Sequence, residues 1–155
     1  MSGLPQTIEL NAGIQGEPAV KEKLTAAALT PGHLVELTTS DTLQKHSTAA
    51  KTASKTFALT DTAVGGDIDT AYASGARARY GAFGSGQEVY ALVAASAAAI
   101  VIDDSLESAG DGTLRKVVTD TATDDTQRNS IVAYAIEAVD NSGGGAEARI
   151  RVVVA

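Results

Sequence analysis

Glu88-Val89-Tyr90-Ala91-Leu92-Val93, then Ile100-Val101-Ile102, then Leu106-Glu107-Ser108-Ala109-Gly110-Asp111-Gly112-Thr113-Leu114-Arg115-Lys116 form the stretch whose reading decides the fold. It reads as strand, turn, strand, turn, strand. The first two runs are apolar and partly β-branched, as buried strands are. In the third, an Asp-Gly pair between two short segments is a strong hairpin signal. Glycine tolerates positive φ, and an aspartate side chain closes a local turn through its own hydrogen bond. No residue in this centre has the character of a reagent, so function is expected on surfaces and not in a pocket.

The 155 residues are enough for one domain that buries about 70% of its unfolded surface. With no cysteine, disulfide frameworks and thiolate metal sites are excluded, which fits a product made in a reducing cytoplasm. Met1-Ser2-Gly3-Leu4-Pro5 lacks the basic cluster and apolar core of a secretory signal. No run approaches the roughly 20 apolar residues of a membrane span, so no membrane partner is expected. Residues 1–60 carry five Lys/Arg against five Asp/Glu and residues 61–155 carry seven against fourteen, so the net −7 lies wholly in the second part (5 − 5 = 0, 7 − 14 = −7). Such an acidic body repels phosphate backbones, and with aromatics at 4% there is little material for stacking on bases. Nucleic acid is not an expected partner.

Working outward, residues 1–17 scatter Leu4, Pro5, Ile8, Leu10 and Ile14 among glycine, asparagine and glutamine. They hold no period for more than a few residues and read either as an extended arm, loose alone and ordered on a partner, or as a disordered terminus with no role. Residues 18–155 read as a single β body. Two readings of Glu17 to Leu29 stand side by side: a short helix opened by Pro18, or an edge strand around Val20-Lys21-Glu22-Lys23-Leu24 guarded by its charges. Pro31-Gly32 is a turn, followed by a hairpin of His33–Leu37 with Leu43–His46. Lys55–Leu59 is a strand with Phe57 and Leu59 on one face. Thr60 to Gly75 is a long glycine- and aspartate-rich excursion, Ala76–Tyr80 a half-exposed strand, and Gly81 to Gly86 a break. Thr119 to Asn129 is a polar, acidic loop. Ile131–Val139 and Ala146–Val154 pair across Asp140–Gly145. Short strands at this spacing, with turn chemistry between them, indicate a mainly β barrel or sandwich with little helix.

Chemistry is sparse. His33 at the Pro-Gly turn and His46 at a strand end share no motif with a nucleophile, and both read as structural. Ser85 lacks the glycine two positions before it that a nucleophile elbow needs, since Phe83 stands there. Gly81–Gly86 does not continue into a phosphate-binding Gly-Lys-Ser/Thr either. Asp67, Asp69, Asp103, Asp104, Asp120, Asp124 and Asp125 lack the spacing of a calcium loop and read as turn-capping or solvated acids. No catalytic, cofactor-binding or metal-binding residue is expected, and no cofactor.

Several blocks support a comparison. They are Pro31-Gly32-His33-Leu34-Val35-Glu36, Phe57-Ala58-Leu59 leading through Gly66-Asp67-Ile68-Asp69 to Ala71-Tyr72-Ala73-Ser74-Gly75, and Gly86-Gln87-Glu88-Val89-Tyr90-Ala91-Leu92. With them go Leu106 to Leu114 and Ala148-Arg149-Ile150-Arg151-Val152. In order and spacing, from about residue 20 onward, these blocks resemble the head decoration, or capsid cement, proteins of tailed bacteriophages. The resemblance implies a small β-barrel or β-tulip-like body with an extended N-terminal arm, and no catalytic residues. It implies a virion structural protein on the outer surface of the expanded capsid, a homotrimer at three-fold and quasi-three-fold positions between major capsid protein subunits, providing head stabilisation against packaged DNA. In that role Leu4, Pro5, Ile8, Leu10 and Ile14 are the expected capsid-binding arm, adding main-chain hydrogen bonds to a strand edge of the shell. Two readings of the alanine-rich Ala94 to Ala99 stand side by side: a close-packed face at the three-fold, or ordinary loop and core alanines. Two other classes remain open at this point: a β-sandwich adhesin or tail-associated receptor- or glycan-binding module using the long loops, and a carboxylate hydrolase.

Overall fold

The strand at the centre of the sequence is also the seam of the molecule. The computed structural model describes residues 4–10, 16–118 and 129–155, which form eleven strands: β1 (Glu9–Leu10), β2 (Ala19–Leu24), β3 (Leu34–Leu37), β4 (Leu43–Lys45), β5 (Thr56–Ala58), β6 (Arg77–Ala82), β7 (Glu88–Val93), β8 (Ser105–Ser108), β9 (Leu114–Lys116), β10 (Ala133–Ala135) and β11 (Ala148–Val154). One 3-10 turn, Thr62–Val64, is capped by the Asp61 side chain. Strands β7-β11-β10-β8-β9 run side by side, and β9 returns to β7 in parallel at Val93 and Leu114, which closes a five-stranded barrel with β1 laid on β7. Closure leaves few exposed sheet edges.

The second sheet runs β2-β6-β5-β3-β4. A single parallel bridge between Thr25 and Leu43 joins its two ends, with Ala26 N–H donating to the Leu43 carbonyl at 2.8 Å. Its middle strands separate two cores. Leu34 and Phe57, paired across β3 and β5, point into the main cluster with Val89, Leu106, Leu114 and Ile150. Their neighbours Val35 and Ala58 point the other way, to Leu29, Leu43, Tyr72, Ala78 and Tyr80. A strand buried on both faces reads as a continuous apolar run, which is why His33-Leu34-Val35 and Phe57-Ala58-Leu59 do not alternate with polar residues. Phe57 also meets Phe83 edge to face, with centroids 5.7 Å apart, a favoured aromatic geometry.

Gly112 ties the hairpin β8–β9 to the second sheet. Its carbonyl accepts from Leu34 N–H at 2.7 Å and its own N–H donates to the His46 carbonyl at 3.1 Å. Its φ of +82° and the 2.8 Å between a built Cβ and Lys45 Cβ leave room for glycine alone.

The barrel fold, the Asp-Gly hairpin and the β3–β4 hairpin follow the sequence reading, and Val20–Leu24 is the edge strand and not the helix. Three expectations need correction. Ile100-Val101-Ile102 is no buried strand: Ile100 is 1% exposed, but Val101 and Ile102 are 56% and 59% exposed in a turn, because Ile100 is pinned by Val139. Ile131–Val139 keeps only three residues as strand, since beyond Ile136, whose N–H still donates to the Arg151 carbonyl at 3.0 Å, the chain leaves β11 to make that bridge. Segment 4–10 is not presented outward as a free arm: Ile8 is 0% exposed inside the main cluster, and Glu9 and Leu10 pair with Val89 and Glu88. The hydrophobic gain of seating Ile8 in its own barrel offsets the ordering entropy expected to keep the segment loose. Residues 1–3 and 11–15, with Ile14, and residues 119–128, with Asp120, Asp124 and Asp125, lie outside the described residues.

Candidate functional site

Three segments share the outer edge of β7. Tyr90 N–H donates to the Ile8 carbonyl at 2.7 Å, Leu92 N–H to Gly32 at 3.3 Å and Ala94 N–H to Leu114 at 3.0 Å. Gly32 can come this close because it has φ +96° and no Cβ, which would otherwise stand 3.0 Å from the Tyr90 carbonyl. Over this seam lies the Arg149 guanidinium, 5.6 Å from the Tyr90 ring centroid. It donates to the Pro31 carbonyl at 3.1 Å, to the Ile68 carbonyl, and to Asp69 at 3.1 Å. A planar fork with five donors suits three acceptors on two separate segments, where a lysine would not. Arg149 thus fastens β11, the Pro31-Gly32 turn and the 60–75 excursion together. An open hollow of about 390 Å³ beside it is lined by Leu4, Gln6, Asp69, Tyr90, Glu147 and Arg149 among others. It contains an engaged cation and carboxylates, with no nucleophile.

Both histidines are interior. His33 Nδ1 accepts from Thr30 N–H at 2.9 Å, so Nε2 carries the proton and donates to the Glu147 carboxylate at 3.1 Å. Burial holds its imidazole below the ordinary 6.5, against the pull of Glu147. His46 Nδ1 lies 2.7 Å from Ser108 Oγ, and its Nε2 lies 3.7 Å from Glu36. That Ser-His-Glu order has the outline of a hydrolytic triad. However, Ser108 is 0% exposed, and its hydroxyl also accepts from Gly110 N–H at 3.1 Å. A nucleophile needs access to its substrate, so the trio, buried at Ser108 and His46 and part-exposed at Glu36, is a polar staple between the two sheets. Burial raises the Glu36 carboxyl, but hydrogen bonds from Ser47 and Gln44 and the nearby His46 outweigh it and hold the group below its usual range.

Of the described acids read as turn-capping or solvated, Asp67 and Asp104 cap turns, while Asp69 is engaged by Arg149. Asp67 accepts from Asp69 N–H and Thr70, and Asp104 accepts from Val101 N–H and pairs with Lys116 at 3.0 Å. Among the described residues no three His, Asp or Glu side chains converge as a cation would require.

Of the five proposed contact residues, the four that are described separate. Leu4 is 75% exposed and Pro5 half-buried, Ile8 is fully buried, and Leu10 packs against the main cluster. The excursion 60–75 is anchored through Ile68 and Tyr72, each 6% exposed, with the Tyr72 hydroxyl donating to the Leu59 carbonyl at 2.6 Å. In the alanine stretch Ala97 is buried, while Ala95, Ser96, Ala98 and Ala99 are exposed, and Ala95, Ser96 and Ala98 line a shallow hollow with Arg115 and Lys116. Sequence reasoning missed the part played by Arg149. Its one signal was a charged residue near the start of a mostly apolar closing strand, where Arg151 stands on the same face.

The chain matches no protein-family model and no curated protein sequence. Among solved structures it is similar to the head fiber gp8.5 N base of bacteriophage phi29, at 12% sequence identity and a TM-score of 0.55, over 88% of this chain and 93% of that one. At that identity the likeness speaks for the fold, and it establishes that this small β-barrel body is one that a phage structural protein also adopts.

Proposed function

We propose that this protein is a virion structural protein, a decoration or cement subunit that binds the outside of an expanded phage head and stabilises it without catalysis. The observation that carries the reading is the fold shared with a phage head fiber base over nearly the whole chain, in agreement with the sequence blocks that resemble head decoration proteins. The interior supports a mechanical role, because each buried polar group described above is spent on joining strands. No helix among the described residues is long and apolar enough to cross a membrane.

In this reading the partners are the major capsid protein and further copies of the chain, arranged as trimers between capsomers. Several contacts made at once raise the effective concentration of each remaining one, so modest interfaces hold firmly. Leu4 and Pro5 remain available for the shell, whereas Ile8 and Leu10 serve the barrel. The adhesin reading draws less support, because Ile68 and Tyr72 anchor one of the two loops it needs. Purified protein mixed with expanded, undecorated heads is expected to co-sediment with them and to raise the temperature at which they rupture. Absence of co-sedimentation refutes the reading.

A further inference from the structure

Strand β2 has one partner and one open side. It pairs with β6 without interruption from Ala19 with Ala82 to Leu24 with Arg77, and no described strand pairs with its other edge. The open side first meets the second sheet at the Thr25–Leu43 bridge. Thr25 donates to the Ala76 carbonyl at 2.8 Å and accepts from Gly75 N–H at 2.9 Å, so both of its main-chain groups face β6. Strand alternation then turns the N–H and C=O of Val20, Glu22 and Leu24 away from β6, to the open side. The side chains are sorted as well. Val20 and Leu24, 46% and 50% exposed, share one face with Glu22, while Lys21 and Lys23 stand on the other.

A long edge with apolar exposure invites pairing, and charge decides with what. Were a second copy to add antiparallel in full overlap, Glu22 would face Glu22 and Lys21 would face Lys23, and like charges directly opposite are destabilising. Lys23 contacts Asp41, whereas Lys21 has no ion-pair partner among the described residues.

We infer that the open edge of β2, Val20 to Leu24, takes up an extended segment of a shell subunit in which acidic residues, facing Lys21 and Lys23, alternate with apolar ones facing Val20 and Leu24. This rests on the head-binding reading for the identity of the subunit, and it adds the place and the chemistry of contact. Main-chain bonds at Val20 and Glu22 and from the Leu24 N–H give the hold, the Leu24 carbonyl being taken up by the parallel bridge to Leu43, and the two faces give the selection.

Glu22→Pro tests the edge. Its missing N–H points outward, so the ladder to β6 stays whole while an incoming strand loses a donor and meets the ring. Lys21→Glu is the second variant, at an exposed side chain. Retention on expanded, undecorated heads is expected to fall at least tenfold for Glu22→Pro and severalfold for Lys21→Glu, with melting of the free proteins unchanged. Equal retention of folded Glu22→Pro and the wild type overturns the edge assignment and leaves head binding standing. If Glu22→Pro is unfolded, unchanged retention of Lys21→Glu overturns the assignment in its place. If the wild type itself is not retained, the head reading fails, and the edge is judged by nuclear magnetic resonance with the peptide Thr-Val-Glu-Thr-Glu-Val-Thr. Shifts at the Val20, Glu22 and Leu24 amides then sustain a docking edge, and their absence overturns it.

Discussion

Replacing Ile8 by alanine separates a leading segment that belongs to the barrel from one that merely rests on it. The Ile8 side chain is 0% exposed, within the cluster that holds Val89, Ala91 and Ile150. Truncating a buried isoleucine costs about 2–5 kcal/mol, more where the surroundings cannot collapse. Strand β1 is only two residues long and lies beside the seam, so relaxation there is easier than mid-core, and the expected loss is about 2–3 kcal/mol. In a chain of this size that lowers Tm by roughly 4–12 °C. Urea unfolding followed by circular dichroism measures it, with Leu4→Ala as companion. Leu4 is 75% exposed, and its truncation is expected to stay within about 0.5 kcal/mol. Amide exchange adds a local readout, because the Tyr90 N–H that donates to Ile8 should be protected far longer than a solvent-facing amide. An Ile8→Ala curve that overlays the wild type, with fast exchange at Tyr90, refutes the docked segment and restores a free arm.

Arg149→Lys is expected to lose about 2–4 kcal/mol, because one ammonium cannot serve the Pro31 and Ile68 carbonyls and Asp69 together, and a buried acceptor left unpaired costs about 1–3 kcal/mol. Urea midpoints within experimental scatter of the wild type would contradict this. For His33 the folded imidazole titrates below 6.5, so the unfolded chain binds the proton more readily. Its contribution to stability is complete above pH 6.5 and falls away as the pH drops through the folded value. A nuclear magnetic resonance titration in which His33 protonates above 6.5 would reverse the sign and the argument with it.

Local chemistry made part of this legible. Asp111-Gly112 announces a turn in any context, and the hairpin between Ser108 and Leu114 appears where those two residues put it. The doubly buried β3 and β5 were visible as apolar runs, but a run does not say what lies on either side of it. Ile100-Val101-Ile102 failed for that reason. Its composition suits a buried strand, while the bridge to Val139, 39 positions on in sequence (139 − 100 = 39), leaves only Ile100 inside. The leading segment failed in the same way. Ile8 stands among glycines and polar residues with no period to place it, and only the open edge of β7 beside Val89 gives it a seat.

That open edge bears on the proposed role of holding a shell together. Strand β7 pairs with β11 along six residues on one side, and on the other it is covered by short contacts from Ile8, Gly32 and Leu114. The middle one of these comes from the second sheet. Pulling the two sheets apart must therefore break the Leu92–Gly32 bond, the Arg149 contacts and the Leu34–Gly112 bond in concert, and must pull Leu34 and Phe57 out of the main cluster. Elements that share a core and a hydrogen-bond network tend to open as one cooperative unit. A force applied at β2 enters through its ladder with β6 and reaches the barrel through β5 and β3, whose residues face both cores. The edge proposed for attachment is thus continuous with the strands that join the two cores, an arrangement that a clamp requires and a free-swinging arm does not supply.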